Sequence, residues 1–483
     1  MNKQECAIKY VEDNYLQFNR LRHDIIADKL QVRCAHPIGD RLRAPHDTSV
    51  AGDPAEAKGE RQEQWREMTK HDINSIVCHA AQEYDANITS REVMTALQSD
   101  LIPDVHPLRE YILSLPPFTP DHPDWIDFVA SQVRVRTNNN EDTLIQQPKQ
   151  QITNNIPLAN TASGEGNNSI PSATEPSEPL TSGSNANAFW RACFKKWFVA
   201  MVASWMKDEV VNHQVLVLIG KQGIYKTTWL EHLIPPHLRA YACKLANSSD
   251  LNKDERLRIA EFGLISLDEI DSMNSRELNQ LKSIITATDV NERAAYAYTK
   301  ERRVRLASFC ASGNRRDFLT DITGNRRWLP FEVESIQSPF TTILPYERMY
   351  AQAWALAQDP LFSYWFDLDE IEVMEQHNQY FRDESNEEQL LPILFDVPAE
   401  GRGEFMTTAQ ISARLVTYGN IKKPMALSRL GMVLGIAGFR AVTRNAGSGR
   451  ARGWIVYQRD NNEIDTLRRL LKDETSQLDT AIY

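Results

Sequence analysis

The sequence has no C-x-x-C pair. Its six cysteines, Cys6, Cys34, Cys78, Cys193, Cys243 and Cys310, are scattered, with no histidine at zinc-ligand spacing. Neither a disulfide framework nor a tetrahedral zinc site is consistent with that distribution, and the thiols read as reduced and mostly buried. Long apolar runs are also missing. The longest, residues 198–206, falls well short of the roughly 18–20 residues that cross a bilayer and reads as a buried helix. The first five residues lack the basic and apolar regions of a secretory signal, so the expectation is a cytoplasmic protein with no membrane partner. Two absences are local. Residues 137–188 contain no aromatic side chain and few large apolar ones, only Asn, Gln, Ser, Thr, Pro and Gly in quantity. Burial there cannot offset the entropy of ordering, which predicts a disordered polar linker over 136–188. Between residues 405 and 459 there is no acidic side chain at all, while Arg414, Lys422, Lys423, Arg429, Arg440, Arg444, Arg450, Arg452 and Arg459 are basic. That segment carries +9, so the net charge of −11 hides a remainder of −20.

What is present is enough for two or three domains: 483 residues, 42% of them hydrophobic. Apolar residues at helical spacing, such as Ile73, Ile76, Val77 and Ala80 and then Tyr111, Ile112 and Leu115, predict a mainly helical region over 1–135. Order returns with the aromatic stripe of Phe189, Trp190, Phe194, Trp197, Phe198 and Trp205, which suits a helix under a core. The continuous apolar run 215–219 then reads as a strand buried on both faces, and helical and strand-like runs alternate to about residue 333. These features predict an α/β domain with a parallel sheet over 189–385. Residues 400–460 give helix, helix and hairpin: a cap at Thr407 or Thr408, a second helix over 424–436 stopped near Gly438, and strands 439–444 and 454–458 around a glycine-rich tip. That order predicts a winged-helix-like basic domain, followed by a charged tail over 461–483.

The chemistry-bearing motifs fall in the α/β region. GKQGIYKT, residues 220–227, follows the buried strand and precedes a helical run, as the phosphate loop G-x-x-x-x-G-K-S/T does. Gly220, Gln222, Gly223, Ile224, Tyr225, Lys226, Thr227 and Thr228 are the candidate nucleotide contacts, for ATP with Mg2+. Backbone N–H groups would cradle phosphates, Lys226 would reach the β- and γ-phosphates, and Thr227 would offer a hydroxyl to magnesium. Tyr225 replaces the second glycine, so either the loop differs locally or nucleotide affinity is reduced. A second apolar strand ends in Asp268 and Glu269, 42 residues after Lys226. There Asp268 would help to hold magnesium and Glu269 would activate water. A third strand ends before Asn314, placed to sense the γ-phosphate, and Arg326 follows as a candidate transition-state cation that often acts across a subunit boundary. Two short strands, 294–298 and 303–309, are predicted around a tip bearing Lys300, Arg302, Arg303 and Arg305, interleaved with Tyr296 and Tyr298. Cations with aromatics suit a single strand of nucleic acid.

The strings GKQGIYKTTWL, LISLDEID, LNQLKSIIT, NERAAYAY, SFCASGN and above all GNRRWLPFEV resemble the virulence-associated protein E family of P-loop ATPases. That family looks like the superfamily-three and AAA+ helicases of phages and mobile elements. The resemblance implies that Lys226 and Thr227 occupy the family's Walker A position, Asp268 and Glu269 its Walker B position, Asn314 its sensor position and Arg326 its arginine-finger position. It further implies a homo-oligomeric ring. Many relatives carry an N-terminal primase module, but residues 1–130 lack its paired acidic motif, so primase activity is not expected. The leading expectation is an ATP-dependent DNA helicase or translocase serving replication of a mobile element. Single-stranded DNA would pass through the ring and duplex would meet the C-terminal domain, through Lys422, Lys423 and Arg429 near the second helix and Arg444, Arg450 and Arg452 around the wing. A nucleic-acid-binding initiator that uses ATP as a switch and an anti-phage defence ATPase are the alternatives.

Overall fold

The computed structural model describes residues 2–34, 64–136, 186–245, 253–292, 301–320, 325–399, 403–446, 449–467 and 469. Most of the expected linker, together with Tyr296, Tyr298 and Lys300, therefore lies outside the described residues.

The N-terminal unit differs from the mainly helical expectation because it contains a four-stranded sheet, ordered β3-β2-β1-β4. Its strands are β1 (Leu21–Asp24), β2 (Lys29–Cys34), β3 (Gln64–Glu67) and β4 (Asp104–Val105). They are short and mixed in polarity, as in the Leu-Arg-His-Asp of β1, so no alternation stands out in the sequence. Helices Lys3–Val11, Lys70–Glu83 and Ser90–Leu97 complete a separate core that includes Tyr10, Leu21, Ile76, Val93 and Ile102. The boundary expected at 135 also moves. Helices Pro107–Ser114 and Trp125–Ala130 bury Leu108, Ile112, Ile126 and Val129 in the main α/β core instead.

That core surrounds a six-stranded sheet ordered β5-β12-β6-β11-β8-β7. In chain order its strands are β5 (Val133–Val135), β6 (Val215–Ile219), β7 (Ala242–Leu245), β8 (Leu264–Leu267), β11 (Ser308–Gly313) and β12 (Trp328–Ile336), with the separate hairpin β9 (Asp289–Glu292) and β10 (Glu301–Val304) between β8 and β11. All neighbours run parallel except β5, which pairs antiparallel with β12. The run VLVLI of β6 is apolar throughout because both faces are covered. Leu216 and Leu218 join the core containing helix Ala186–Met206, while Val215, Val217 and Ile219 join the one containing helix Ser275–Ile285. The aromatic stripe does more than fill space. The indole N–H groups of Trp190, Trp197 and Trp205 donate to the carbonyls of Ala130, Phe309 and Gly263, at 2.9, 3.2 and 3.0 Å, and so fix the helix against three separate segments. Because β6, β8 and β11 are parallel, the loops that follow them emerge on one edge of the sheet.

The C-terminal unit contains helix Asn386–Leu394, β13 (Phe395–Asp396), β14 (Glu404–Met406), helices Thr408–Gly419 and Leu427–Ile436, β15 (Arg440–Ala446) and β16 (Gly449–Gln458). Strand β16 pairs antiparallel with β13, β14 and β15. The helix, helix, hairpin order is the expected one, with strands longer and a tip shorter than the sequence suggested.

Candidate functional site

The loop after β6 closes tightly on its own sheet. A Cβ at Gly220 would lie 2.6 Å from the Val333 carbonyl oxygen of β12, so only glycine fits there. Gly223 turns with φ +86°, and Tyr225, with φ +67° and ψ +18°, takes a left-handed conformation of its own immediately before helix Lys226–His232. The tyrosine therefore keeps the backbone shape that glycine would supply, at a strain of about 1–3 kcal/mol. Alternation of left- and right-handed residues turns backbone N–H groups inward, the concavity in which anions bind. Ile224 packs inward, partly buried against the main core, rather than lining the cleft.

Lys226 is buried, with Nζ donating to the carbonyls of Gly220 and Lys221, each at 2.7 Å, and to Asn314 Oδ1 at 3.2 Å. Burial lowers its pKa, opposed by the carboxylates of Asp271 and Asp268. Its three donors are thus held at the loop by acceptors that anionic oxygens can replace. Beside it, the hydroxyls of Thr227 and Ser312 both donate to Asp268 Oδ1, at 3.1 and 2.7 Å, and lie 2.8 Å from one another. Lys244 reaches the other oxygen, Asp268 Oδ2, at 2.8 Å. Burial raises the Asp268 pKa, but the hydrogen bonds from Lys244 and Ser312 outweigh it and hold the carboxyl below its ordinary value.

Consecutive residues of a strand face opposite ways. Asp268 and Glu269 nevertheless line one cleft, because β8 ends at Leu267 and Glu269 takes a left-handed backbone with φ +52°. Asp271, three residues beyond Asp268, accepts the backbone N–H groups of Asn314 at 3.1 Å and Arg315 at 3.0 Å, which sets the turn that presents Asn314. The cleft is about 330 Å³ and is also lined by Gln222, Gly223, Tyr225 and Thr228. Among the described residues no group of three or more His, Cys, Asp and Glu could hold a metal ion. The all-oxygen set of Thr227, Ser312 and Asp268 fits magnesium, which commonly takes one or two carboxylates and completes its shell with water and phosphate.

Three of these residues escaped the sequence reading. Ser312 sits two positions before Asn314 and Asp271 ends the same acidic run, so both were within reach of it. Lys244 comes from β7, at the sheet edge, and has no motif around it.

The other expected residues lie away from the cleft. Arg326 lies in the turn before β12, whose Trp328 pairs with Val215 at the start of β6, whereas the loop follows Ile219, paired with Glu332. Four strand steps, about 13 Å, separate the two edges, so Arg326 is exposed away from its own chain's cleft. The basic hairpin is also in a different register, pairing Arg302 with Asn291 and Val304 with Asp289, so the arginines are not at its tip. Arg302 pairs with Asp289, and Arg303 with Asp28 and Glu261. Arg305 is buried, donating to the carbonyls of Ala307, Ile285, Ala287 and Asn212, and cannot contact nucleic acid in this state. Arg305→Ala would orphan those buried acceptors and is expected to cost about 2–3 kcal/mol, read as a lower urea midpoint. An unchanged midpoint would contradict this role.

In the C-terminal unit, Lys422, Lys423, Arg444, Arg450 and Arg452 are exposed as expected. Arg429 is not available in the same way: it reaches the Thr320 carbonyl at 3.1 Å and Glu388 at 3.8 Å, so it ties the second helix to the rest of the chain. The exposed large side chains of that helix are Leu427, Met432 and Ile436. On the hairpin the cations divide between two faces. Arg440 and Arg444 share the side of Ile455, whereas Arg450 and Arg452 share the side of the buried Trp454.

A parallel α/β sheet with a Lys-Thr loop opposite a paired-carboxylate strand end defines a class of site fit for a phosphate chain and a divalent cation. Residues 177–388 match the family model described as the Virulence-associated protein E-like domain, which supports a relationship to the virulence-associated protein E family. The match takes in the loop, both carboxylates and Asn314, and ends within the first helix of the C-terminal unit. No curated protein matches the chain. Among solved structures it is similar to the apo structure of the NrS-1 C-terminal region, at 10% identity, covering 94% of this chain and 100% of that one with a TM-score of 0.42. An A-form apo structure of the same region gives 10% identity, 92% and 98% coverage and a TM-score of 0.41. Likeness at this distance transfers no role to any residue.

Proposed function

We propose that the chain is an ATP-hydrolysing P-loop motor on nucleic acid, a DNA helicase or translocase serving replication of a mobile element. The observation that supports it most is the convergence of Lys226, Thr227, Asp268 and Asn314, from the ends of three adjacent parallel strands, on one cleft. Strand β11 lies between β6 and β8, so Ser312 and Asn314 stand between the loop and the carboxylates. Lys226 exchanges its carbonyl acceptors for phosphate oxygens and follows the charge that develops on them. Thr227 and Asp268, with Ser312 beside them, would hold a magnesium ion, which neutralises phosphate charge when bound. Glu269 takes the proton of the attacking water, and Asn314, fixed by Asp271, orients that water. Arg326 faces away from its own cleft and can serve only another copy's, so the proposal includes a homo-oligomeric ring. ATP turnover measured with and without single-stranded DNA tests the reading: a motor hydrolyses ATP faster on the strand, and no turnover under either condition would sink it.

A second reading, an initiator in which ATP switches conformation, is favoured by one observation. The hairpin arginines that a motor would place on a strand are engaged in ion pairs or buried. Unstimulated turnover together with duplex binding would select this reading. In both readings the C-terminal unit is a winged-helix-like domain that docks through Lys422, Lys423, Arg444, Arg450 and Arg452. Duplex binding by the full chain should fall steeply with salt, and Arg450→Ala and Arg452→Ala should each reduce the log–log salt slope by about 1. A dissociation constant weaker than about 10⁻⁴ M at low salt would leave this unit as a protein-interaction module.

A further inference from the structure

Tyr225 presents a conflict that the phosphate-binding role does not explain. A left-handed backbone disfavours any side chain but glycine's, and a β-carbon with a large ring there stores strain. The ring is not compensated by burial, since Tyr225 keeps 41% of its surface exposed. It is set edge-on to a second exposed ring, that of Phe340, with centroids 6.1 Å apart and planes at 79°. Phe340 is 72% exposed and lies edge-on to His232 as well, at 5.7 Å and 83°. His232 closes the helix that begins at Lys226. Phe340 comes from the segment after β12, and no core cluster includes it. A strained, exposed aromatic residue that lines the cleft, next to a second exposed ring just outside it, leaves open aromatic faces beside the phosphate loop.

We propose that Tyr225 and Phe340 form a seat on which the base of the bound nucleotide stacks. The inference rests on the reading of the cleft as a nucleoside triphosphate site and adds what holds the end of the ligand away from the phosphates. Every base has a π-face, so such a seat strengthens binding of any nucleoside triphosphate over a bare phosphate chain and discriminates weakly among bases. It also accounts for a tyrosine where glycine would relax the loop: the strain is held in exchange for a ring at the mouth of the cleft.

The strain and the stack predict opposite results for one substitution. Tyr225→Gly removes both. If the ring is only a strained residue, the variant binds ATP as well as the parent or better; if it seats the base, ATP affinity falls. The measurement is equilibrium binding of Mg-ATP and of Mg-tripolyphosphate, which has no base, to the full chain and to Tyr225→Gly, Tyr225→Phe and Phe340→Ala. The parent is expected to prefer ATP to tripolyphosphate. Tyr225→Gly and Phe340→Ala should each lose ATP affinity by roughly fivefold to 150-fold, the equivalent of about 1–3 kcal/mol per stacked base. Tripolyphosphate binding should not weaken in either, and Tyr225→Phe should retain the parent's ATP affinity. ATP affinity unchanged or improved in both Tyr225→Gly and Phe340→Ala would overturn the seat while leaving the phosphate site standing. Equal losses for ATP and tripolyphosphate would also overturn it, because the rings would then act on the loop rather than the base. If the parent binds neither ligand, the nucleotide reading fails and the seat with it.

Discussion

Lys226→Ala should lower ATP turnover by roughly a hundred- to a thousandfold, the usual loss when one charge-stabilising donor is removed from a water-poor site. The geometry gives the reason for a large effect. Lys226 is the buried cation of the cleft wall, and its ammonium already lies between the loop carbonyls of Gly220 and Lys221 and the Asn314 side chain. Gly220 is partly exposed and Lys221 and Asn314 are exposed, so water can satisfy these acceptors in the variant and the fold should persist. Lost turnover with an unchanged thermal midpoint would therefore report on chemistry. Phosphate release at saturating Mg-ATP is the appropriate measurement, and activity within about threefold of the parent would remove Lys226 from the role assigned here. ATP affinity should fall as well, since the same donors meet the ground-state phosphates.

The parts of this site that could be read from the sequence are those carried by contiguous residues. A buried strand, a glycine turn and a helix form one local unit, so GKQGIYKT announces itself without tertiary information. The acidic strand end and the run before Asn314 are local in the same way. Lys244 was invisible because it meets Asp268 only through the pairing of β7 with β8, and pairing partners are not encoded at any fixed spacing. The hairpin arginines show the opposite failure. A cluster of positive charge reads as a surface from sequence, yet Arg305 is covered on all sides because backbone carbonyls from four positions, Ala307, Ile285, Ala287 and Asn212, converge on it. Arg429 failed for the same reason, its partners Thr320 and Glu388 being remote in the chain. The N-terminal sheet was missed because strands of two to six residues with charged members carry too little periodicity to be told from loops. Helix, helix and hairpin in the C-terminal unit were legible because caps and glycines mark their ends: Thr407 receives the Gln410 N–H, and Gly438, with φ +84°, follows the second helix.

Glu269→Gln should separate binding from hydrolysis, with ATP still bound and turnover reduced by about 10²–10⁴, the range for loss of a positioned general base. The substitution is close to isosteric, and the left-handed turn at residue 269 is a backbone feature that glutamine inherits. What changes is the ability to accept a proton from water. The neighbouring carboxylate supplies the contrast. Asp268 accepts the Thr227 and Ser312 hydroxyls on one oxygen and pairs with Lys244 on the other, so Asp268→Asn disturbs a network and not one function. That variant should weaken Mg-ATP binding together with turnover. On the proposed reading the two adjacent carboxylates divide the work by environment: Asp268, partly buried and held below its ordinary pKa by its donors, would face the metal, and Glu269, exposed at the cleft, would face the attacking water. Mg-ATP binding and single-turnover hydrolysis, measured on both variants, read the division directly. If Glu269→Gln fails to bind nucleotide, Glu269 is part of the phosphate or metal site; if it turns over like the parent, another group activates the water.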